Sequence, residues 1–460
     1  ADNINARFNG QSAPAEQAHQ LSLKINAQSP HTRQISFYIN SLNLGALCNS
    51  MHAYMPDLVE QRLAGLRAHA LLDDLVVHIE QSQDQKPSFQ YAATFHDATL
   101  WHVATDRKIA GLSGRLSGGD RSGRGSLTSQ QVELLLPQMY PADVLQIALT
   151  GELDWQHYGQ IHSLHTERLA IENNDLALAT RFTALLDKDQ IYSDAQVYIE
   201  RASAAELNRY LPALKQISRT KKWFADAVHE GQLVSSNILL RGLLSEFPFH
   251  KRSGVILADV LLRDAVIEYK RDWPAFSDVQ ATISLNKDRV VVLPTQGIMY
   301  DSQLTRARLE IPSFLKAVLE AEGELKGGGQ NLIHFLADAG LVARQNSVAD
   351  QLSLEGDTKL QLSFTKSLSQ KVALPFRVSG MLNFIGNTLH IHAANMAMQD
   401  LRGTLAFDQD GAYGEYLSAS LYGHKLALSA KALGAGASGL YFNGKFDVDA
   451  YISSQLSKFK

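Results

Sequence analysis

The sequence predicts a mainly β chain: an elongated, strongly curved antiparallel sheet, a β-groove with a taco-like cross-section, accompanied by a few short helices. Three observations predict this fold. Apolar and polar residues alternate along many segments, Gly, Asn and Asp recur between the segments, and no compositional break interrupts the series. Strands with this alternation have one apolar face and one polar face, so the apolar face must be covered by protein or by another molecule.

The alternation is found from the first third of the chain to its end. Residues Leu145–Trp155 read LQIALTGELDW, Val279–Asn286 read VQATISLN, and Leu440–Val448 read LYFNGKFDV. Counted from the first residue of each segment, odd places are mainly apolar and even places mainly polar. A period of two residues is typical of a strand with one covered face.

Residues 1–200 are predicted to form an N-terminal β-groove segment with a short helix near residues 42–64. The helix follows from apolar residues at helical spacing, with Pro56 dividing it. The glycine-rich stretch Ser117–Gly125 is predicted to be a flexible hairpin connection. The predicted strands are Leu21–Ile25, Ile35–Ile39, Leu75–Ile79, Phe89–Phe95, Gly111–Leu116, Gly125–Leu136, Leu145–Trp155, Leu169–Ile171 and Leu176–Leu185.

Residues 201–345 are predicted to form a central segment in which helices near 203–230 and 331–339 accompany strands. Ser203-Ala-Ala-Glu206 fits the Ser-x-x-Glu capping box, and Gly231 and Gly340 are the expected helix stops. The predicted strands are Gln232–Arg241, Ser253–Leu262, Ala265–Tyr269, Val279–Leu285, Arg289–Leu293, Leu304–Ile311 and Ala317–Leu325.

Residues 346–460 are predicted to form a C-terminal β-groove segment. Its strands are Lys359–Phe364, Phe376–Phe384, Thr388–His392, Leu401–Phe407, Ser418–Leu421, Lys425–Ala430 and Leu440–Val448. Since no long linker separates the three segments, we expect one continuous body. A β-sandwich usually closes after about seven to nine strands, whereas this chain offers roughly twenty, which favours an open sheet over a series of sandwiches.

Composition excludes several classes of function. A formal net charge of −4, from 43 basic and 47 acidic residues, provides no broad basic field for nucleic acid. The single cysteine, Cys48, excludes an internal disulfide framework and a multi-cysteine metal site. No run approaches the roughly 18 to 20 apolar residues that span a bilayer. Because the chain does not begin with Met, we expect a processed or excised segment, with any anchor outside it.

No pattern predicts a catalytic or cofactor site. Gly434, Gly436 and Gly439 fit the dinucleotide-binding pattern G-x-G-x-x-G, but a strand rather than a helix is predicted to follow, which indicates a turn. Ser113 lacks the second glycine of a nucleophile elbow. Asp73 and Asp74 are interpreted as a turn before a strand. We therefore predict no catalytic residue and no cofactor.

Histidines also fail to predict a metal site. His157, His162 and His165 lie close together in sequence, and His390 and His392 share one strand face. A catalytic zinc needs a third protein ligand, and no acidic or cysteine partner is marked nearby. They are interpreted as surface or interstrand histidines.

The apolar strand faces are the candidate functional surface. They could form half of a β-sandwich, or they could surround a guest molecule in an open sheet. The candidate groove-lining residues are Leu145, Ile147, Leu149, Ile256, Val260, Leu262, Val279, Ile283, Leu285, Leu360, Leu362 and Leu405.

One stretch resembles a known family. Lys222–Phe249 reads KWFADAVHEGQLVSSNILLRGLLSEFPF and is similar to a signature stretch of the YhdP branch of the AsmA-like proteins. The segments Ala265–Leu285, Ala307–Ile311 and His334–Leu341 continue the similarity in the same order, and Ile109–Pro137 resembles the family upstream. The resemblance covers most of the chain.

The resemblance implies an elongated periplasmic β-groove protein of the Gram-negative cell envelope. Such a protein is tethered by an N-terminal inner-membrane helix, which this sequence lacks, and it acts in phospholipid movement toward the outer membrane. The expected partners are therefore phospholipid acyl chains, the inner membrane through the missing anchor, and outer-membrane or other envelope proteins.

Two hypotheses of function follow. In the first, the groove shields phospholipid acyl chains between the inner and outer membranes, because burial gains about 0.8 kcal/mol per methylene group. In the second, the chain is a non-enzymatic envelope scaffold or assembly factor that binds client β-strands at a sheet edge. A continuous open channel favours the first hypothesis, and dry, well-packed apolar faces favour the second. An enzyme ranks third.

Overall fold

The computed structural model is mainly β, with antiparallel strands and a few short helices, which confirms the predicted fold class. The residues described by the structure are 4–10, 19–29, 32–48, 65–82, 86–137, 140, 144–188, 190–211, 218–247, 249, 253–269, 274–313, 318–339, 352–368, 374–434, 437–445, 449 and 452–453.

The chain divides into two compact units, which are described separately. The N-terminal unit comprises Ala1–Ala202, Glu206–Lys221 and Ser235–Ile256, and the C-terminal unit comprises Ser203–Ala205, Lys222–Val234 and Leu257–Lys460. The boundaries predicted near residues 200 and 345 stay a prediction.

The N-terminal unit is a ladder of long strands, each paired with the next along the chain. The strands are longer than predicted, because polar residues continue them beyond the alternating segments. They are β1 (Ile4–Gly10), β2 (His19–Ser29), β3 (Thr32–Asn43), β4 (Leu66–Ser82), β5 (Ser88–His102), β6 (Arg107–Gly119), β7 (Ser122–Leu135), β8 (Leu145–Tyr158), β9 (Ile161–Glu172), β10 (Leu176–Asp187) and β11 (Gln190–Ser203).

Strand β12 (Val228–Leu243) has residues in both units, and the strands that follow continue the same antiparallel pattern. They are β13 (Val255–Ile267), β14 (Phe276–Asn286), β15 (Arg289–Met299), β16 (Ser302–Ile311), β17 (Val318–Gly328), β18 (Leu352–Glu355), β19 (Asp357–Ser367), β20 (Arg377–Ile391), β21 (Met396–Asp408), β22 (Gly411–Leu421), β23 (His424–Gly434) and β24 (Ala437–Gly444).

Short helices interrupt the strands. Residues 44–48 form α1 after β3, and residues 49–64 of the helix predicted there lie outside the described part. The other helices are α2 (Leu207–Tyr210), α3 (Ser218–Ala227) and α4 (Gly329–Asp338), with 3-10 turns at Val103–Thr105, Leu244–Glu246 and His392–Ala394. The helices predicted near 203–230 and 331–339 are therefore present, with shifted ends.

Two predicted helix ends are wrong. Ser203 is the last residue of β11, and α2 begins later, after Glu206, without a side-chain cap. Helix α3 ends at Ala227 rather than near Gly231, because β12 begins at Val228 and passes through Gly231. Gly231 has φ 127° within that strand, and an added Cβ would lie 2.7 Å from the Cβ of Ala265. Close backbone approach, rather than a helix stop, explains this glycine.

The glycine-rich connection between β6 and β7 is shorter than predicted. Strand β6 ends at Gly119 and β7 begins at Ser122, so only Asp120 and Arg121 join them. Gly118 pairs with Gly123, and an added Cβ at Gly123 would lie 2.2 Å from the Trp155 ring. Gly118 and Gly123 therefore lie in paired strands rather than in a loop. The missing side chain of Gly123 leaves the space that the Trp155 indole ring occupies.

A four-residue pattern, apolar-x-Asp-apolar, recurs where strands bulge. In β13 it is Leu262-Arg263-Asp264-Ala265, where the register shifts and Asp264 has φ 51°. The extra residue puts both Leu262 and Ala265 on the buried side, at 6% and 0% exposure. Aspartate tolerates the left-handed conformation better than most residues. The same pattern, with a left-handed Asp, occurs at Leu72–Leu75, Phe95–Ala98, Phe276–Val279 and Met398–Leu401.

The prediction that Asp73 and Asp74 form a turn before a strand is wrong. Both lie inside β4, where Asp74 is the left-handed residue of the bulge, with φ 52°. One left-handed residue within a strand shifts the alternation of side chains without ending the strand. Aspartate is common both in such bulges and in turns, so the residue type alone does not distinguish them.

The Phe247–Phe249 stretch has a packing role in the N-terminal unit. The Phe249 side chain is fully buried and has φ 64°. Added Cβ atoms at Gly242 and Gly254 would lie 2.7 and 2.5 Å from its ring. The two glycines thus provide the space that this phenylalanine occupies.

Candidate functional site

The candidate site is the apolar face of the strands, meaning the side on which apolar residues are buried or half-buried. In β8, Leu145, Ile147 and Leu149 are on this side at 6–8% exposure, and the residues between them are exposed or half-buried. Ile147 and Leu149 pack with Val132 of β7, which is fully buried. The alternation therefore produces a covered face, as the sequence indicates.

In the C-terminal unit one row of aliphatic residues crosses four strands and is only half-buried. Val260 of β13 lies opposite Ile283 of β14, Ile283 lies opposite Val292 of β15, and Val292 lies opposite Leu309 of β16. All four side chains keep partial solvent exposure. We call Val260, Ile283, Val292 and Leu309 the open row. Its members form a continuous apolar strip, because residues directly opposite in antiparallel strands have neighbouring side chains.

A second row on the apolar face is covered at its centre, and its two end members are half-buried. Leu304 of β16 lies opposite Leu325 of β17, which is followed in register by Leu360, Leu382 and Leu405 on β19, β20 and β21. We call Leu304, Leu325, Leu360, Leu382 and Leu405 the closed row. Leu325, Leu360 and Leu382 are 4%, 0% and 7% exposed.

Helix α4 packs against β17, β18 and β19 and lies over the part of the closed row on β17 and β19. Its residues Leu332, Ile333, Phe335 and Leu336 are 0–9% exposed and belong to the same apolar cluster as Leu360. The Phe335 ring meets Phe276 edge to face, with 6.4 Å between the ring centroids. Each such side chain contributes about 1.5–3 kcal/mol when it is buried. The helix is therefore a stable part of the core.

Polar contacts fix α4 at its start. The Gly329 N–H donates to the carbonyl of Gly356 over 2.9 Å, and the Leu354 N–H donates to Gln330 Oε1, also over 2.9 Å. An added Cβ at Gly329 would lie 2.5 Å from the Leu354 side chain, so glycine is required for this approach. Gln330 thus provides an acceptor for a backbone donor of β18.

Tyr300 contacts α4 near both of its ends, at Asn331 near the start and at Asp338 at the end. The Tyr300 hydroxyl donates to Asp338 Oδ2 over 2.9 Å, and Asn331 Nδ2 donates to the Tyr300 carbonyl. Burial, together with the hydrogen bond to Asp338, raises the pKa of Tyr300. Hydrogen bonds at both ends and apolar side chains between them hold the helix against the sheet.

The predicted groove residues fall into two classes of exposure. Val260, Ile283, Leu285, Leu362 and Leu405 are half-buried. Leu145, Ile147, Leu149, Ile256, Leu262, Val279 and Leu360 are buried. The structure brings Val260 and Ile283 together directly, and it joins Leu360 to Leu405 through Leu382. Their role as lining residues stays a prediction.

The opposite side of the strands carries paired charges. Arg124 Nε and Nη2 donate to the two carboxylate oxygens of Asp154 over 2.6 and 3.0 Å. This bond to Arg124 holds the pKa of Asp154 below its usual value. Both side chains are substantially exposed, at 59% and 33%, so the pair contributes little to stability.

A recess of about 380 Å3 lies on the polar side of β9 to β12. His165 is bonded to Thr183 over 2.8 Å and lies 3.2 Å from Glu167, and Arg241 lies 3.4 Å from Asp194. Its charged groups thus compensate one another within the recess, and this arrangement is typical of a solvated polar surface.

The other candidates for chemistry have structural roles. The rings of His157 and His162 stack at 4.6 Å across the β8–β9 pair. Ser113 N donates to Ser129 Oγ over 2.8 Å, joining β6 to β7. Strand β24 follows the glycine-rich segment near Gly434, as predicted. Across the residues placed by the structure, no group of three or more His, Cys, Asp or Glu residues is arranged to hold a metal ion.

The division of the apolar face into an open and a closed row does not follow from the sequence pattern. The sequence predicts a turn at Gly327-Gly328-Gly329 and a helix after it. The predicted turn is wrong, because Gly327 and Gly328 end β17 and Gly329 begins α4, and the packing partner of the helix is not apparent from the sequence. A local signal was available, because Leu332, Ile333, Phe335 and Leu336 are too apolar for an exposed helix. Such residues indicate that a helix is buried, but they do not identify the sheet residues beneath it.

Three comparisons relate the chain to known proteins. A family model described as "YhdP protein" matches residues 2–459. The chain is 20% identical over 320 residues to "Intermembrane phospholipid transporter YhdP" of Escherichia coli (strain K12), an alignment that covers 68% of this chain and 25% of that protein. No solved structure matches the chain. Among the helices that the structure describes, none has the length and apolarity needed to span a bilayer.

Proposed function

Because this chain belongs to the YhdP protein family, we propose that its apolar sheet face holds phospholipid acyl chains during their transfer between two membranes. The open row carries the proposal. Val260, Ile283, Val292 and Leu309 form a continuous strip across four strands, yet each remains partly exposed to solvent. An acyl chain lying on this strip removes apolar surface of both partners from water.

The energetics require no specific contact between lipid and protein. Burial of methylene groups gains about 0.8 kcal/mol each relative to water, so a groove that covers most of a tail prevents its exposure during transfer. Since neighbouring positions along the strip are all aliphatic, a tail can move between them without crossing a polar barrier. The proposed function is non-enzymatic, and it needs no catalytic side chain or cofactor.

The location and attachment are parts of the same proposal. The relative in Escherichia coli is named an intermembrane phospholipid transporter, and this chain aligns with a quarter of it. We propose that the chain is a periplasmic segment of a longer protein, attached to the inner membrane by an N-terminal helix. Contacts with outer-membrane or other envelope proteins belong to that longer protein.

A scaffold function is the second candidate, and the closed row favours it for part of the surface. There the apolar face is filled by the protein's own helix α4, and Leu360 is fully buried. A chain whose whole apolar face were filled in this way would have no room for lipid. The two candidates therefore differ in what covers the open row in solution.

The proposal is tested by native mass spectrometry, with lipid extraction, on the purified chain after expression in a Gram-negative host. We expect phospholipid to co-purify with the wild-type chain and to be lost from the double variant Val260→Asp and Ile283→Asp. The matched control is Leu261→Asp with Thr282→Asp, since these two residues form the next cross-strand pair, and alternation places their side chains on the opposite face.

Circular dichroism and thermal unfolding establish that both double variants are folded. The proposal is supported if the control variant keeps its lipid and the open-row variant loses its lipid. A wild-type chain that is lipid-free, monodisperse and stable overturns it and favours the scaffold.

A further inference from the structure

We propose that helix α4 is a built-in occupant of the apolar face, which excludes acyl chains from the closed row and confines lipid contact in this region to the open row. The inference rests on the proposed function and specifies where, within the C-terminal unit, a tail binds. It assigns to α4 the role of a fixed side wall of the lipid-binding strip.

Helix α4 occupies the place on the sheet that an acyl tail would need. Leu332 and Phe335 are 0% and 3% exposed, and they share one cluster with Leu325, Leu360 and Leu382. A face that is already covered gains nothing from a tail, because the hydrophobic gain depends on area removed from water. The open row is still partly exposed and retains that gain.

Displacement of α4 from the sheet by an acyl tail would bring no gain in free energy. A tail that comes from a bilayer is already in an apolar environment, so exchanging α4 for a tail exposes the helix without a compensating gain. Release would also break the Gly329–Gly356 and Gln330–Leu354 hydrogen bonds at the helix start. A helix held in this way acts as a wall rather than as a gate.

Both rows lie on one apolar face, and they share strand β16, which carries Leu309 of the open row and Leu304 of the closed row. On β17, Ala321 continues the open row and Leu325 belongs to the closed row, with an even spacing and no register shift against β19. Residues with even spacing on a regular strand lie on one face. Helix α4, rather than the direction of the strand residues, therefore distinguishes the two rows.

The test is photolabelling of the full chain with vesicles of phosphatidylethanolamine that carries a diazirine in one acyl chain, followed by peptide mapping. We expect labels on peptides that contain Val260, Ile283, Val292 or Leu309 to exceed those on Leu360, Leu382 and the α4 peptide several-fold. Equal labelling of both rows overturns the inference while leaving the proposed function intact. Absence of label from both rows overturns the proposed function and, with it, this inference.

Hydrogen exchange on the unmodified protein provides an independent readout. We expect the backbone amides of α4 to be equally protected from hydrogen exchange with and without the vesicles. Loss of this protection on lipid binding contradicts the role of α4 as a fixed side wall. In the variant Phe335→Ala, a loosened helix should move label toward Leu360 and Leu382. The matched control His334→Ala, an exposed position on the same helix, should leave the labelling pattern unchanged.

Discussion

Asn387 Nδ2 donates a hydrogen bond to Thr358 Oγ1 over 2.9 Å, and each of these two side chains is 1% exposed. The same Asn387 amide nitrogen contacts the carbonyl oxygens of Glu355 and Asp357, and its Oδ1 accepts from the Ile385 N–H. One buried amide therefore connects the β18–β19 connection to the bulge in β20. It provides hydrogen-bond partners for three backbone groups beside the bulge.

Replacing Asn387 should destabilise the C-terminal unit. In Asn387→Ala the carbonyls of Glu355 and Asp357 and the buried Thr358 Oγ1 lose their shared donor, and we expect a loss of about 2–4 kcal/mol in the free energy of unfolding. Urea denaturation measures this loss in the free energy of unfolding. The control Asn383→Ala, which removes only the more exposed bond from Thr404 Oγ1 on the same strand, should cost less than about 1 kcal/mol. Equal losses would show that the Asn387 network is not a special contributor.

The left-handed Asp residues in the bulges predict that a β-branched residue at such a position destabilises the protein. Asp264 has φ 51°, a conformation that is costly for a β-branched side chain. We expect Asp264→Val to lower the free energy of unfolding by about 1–2 kcal/mol. Asp264→Gly should be tolerated, and Arg263→Val, at the exposed neighbour without a positive φ, is the control. If both valine variants lose equal stability, a backbone cause is excluded.

Glu324 predicts a pH dependence of stability. Its carboxylate lies 2.8 Å from Lys359 Nζ and accepts from Gln361 and Thr305, and these contacts, the bond from Lys359 first, lower its pKa from 4.5 to about 2. Because the folded-state pKa is depressed, the stabilisation is complete above about pH 4.5 and is lost as the pH falls toward 2.

The variant Glu324→Gln separates this contribution from general acid unfolding. We expect it to be less stable than the wild type at pH 7 by at most about 3 kcal/mol, and the difference should narrow below pH 4.5. Denaturant unfolding at several pH values measures the difference. Glu322→Gln, at an exposed position on the same strand, is the control. A difference that stays constant from pH 7 to the acid range would contradict the assignment.

The burial of Phe335 on helix α4 predicts that truncation of its side chain lowers the stability of the protein. Phe335 is 3% exposed and contacts Phe276, so we expect Phe335→Ala to lower the free energy of unfolding by about 3–5 kcal/mol. His334→Ala, one residue earlier and exposed, should change stability by no more than about 0.5 kcal/mol. Thermal unfolding of the two variants measures the contrast. A small effect of Phe335→Ala would show that α4 is only loosely attached to the sheet.

Much of the fold follows from local sequence. Segments such as Leu145–Trp155 are strands, because a period of two residues gives one apolar side and one polar side at any position in a sheet. Helix α4 was also predicted, because its apolar residues recur at helical spacing before a C-terminal glycine. Ends were less accurate, as Ser203 and Gly231 show, because one residue type acts as a cap in one context and as a strand residue in another.

The sequence by itself determined that this is an antiparallel β chain with one apolar face, since alternation, glycines and turn residues act over a few neighbouring positions. It also contained the apolar-x-Asp-apolar pattern, although its meaning as a bulge emerged only with the strand register. The tertiary structure alone decided that Leu360 is buried under α4 while Val260 and Ile283 remain half-exposed. All three are aliphatic residues in similar strands, and their different exposure depends on a packing partner distant in sequence, which local periodicity does not encode.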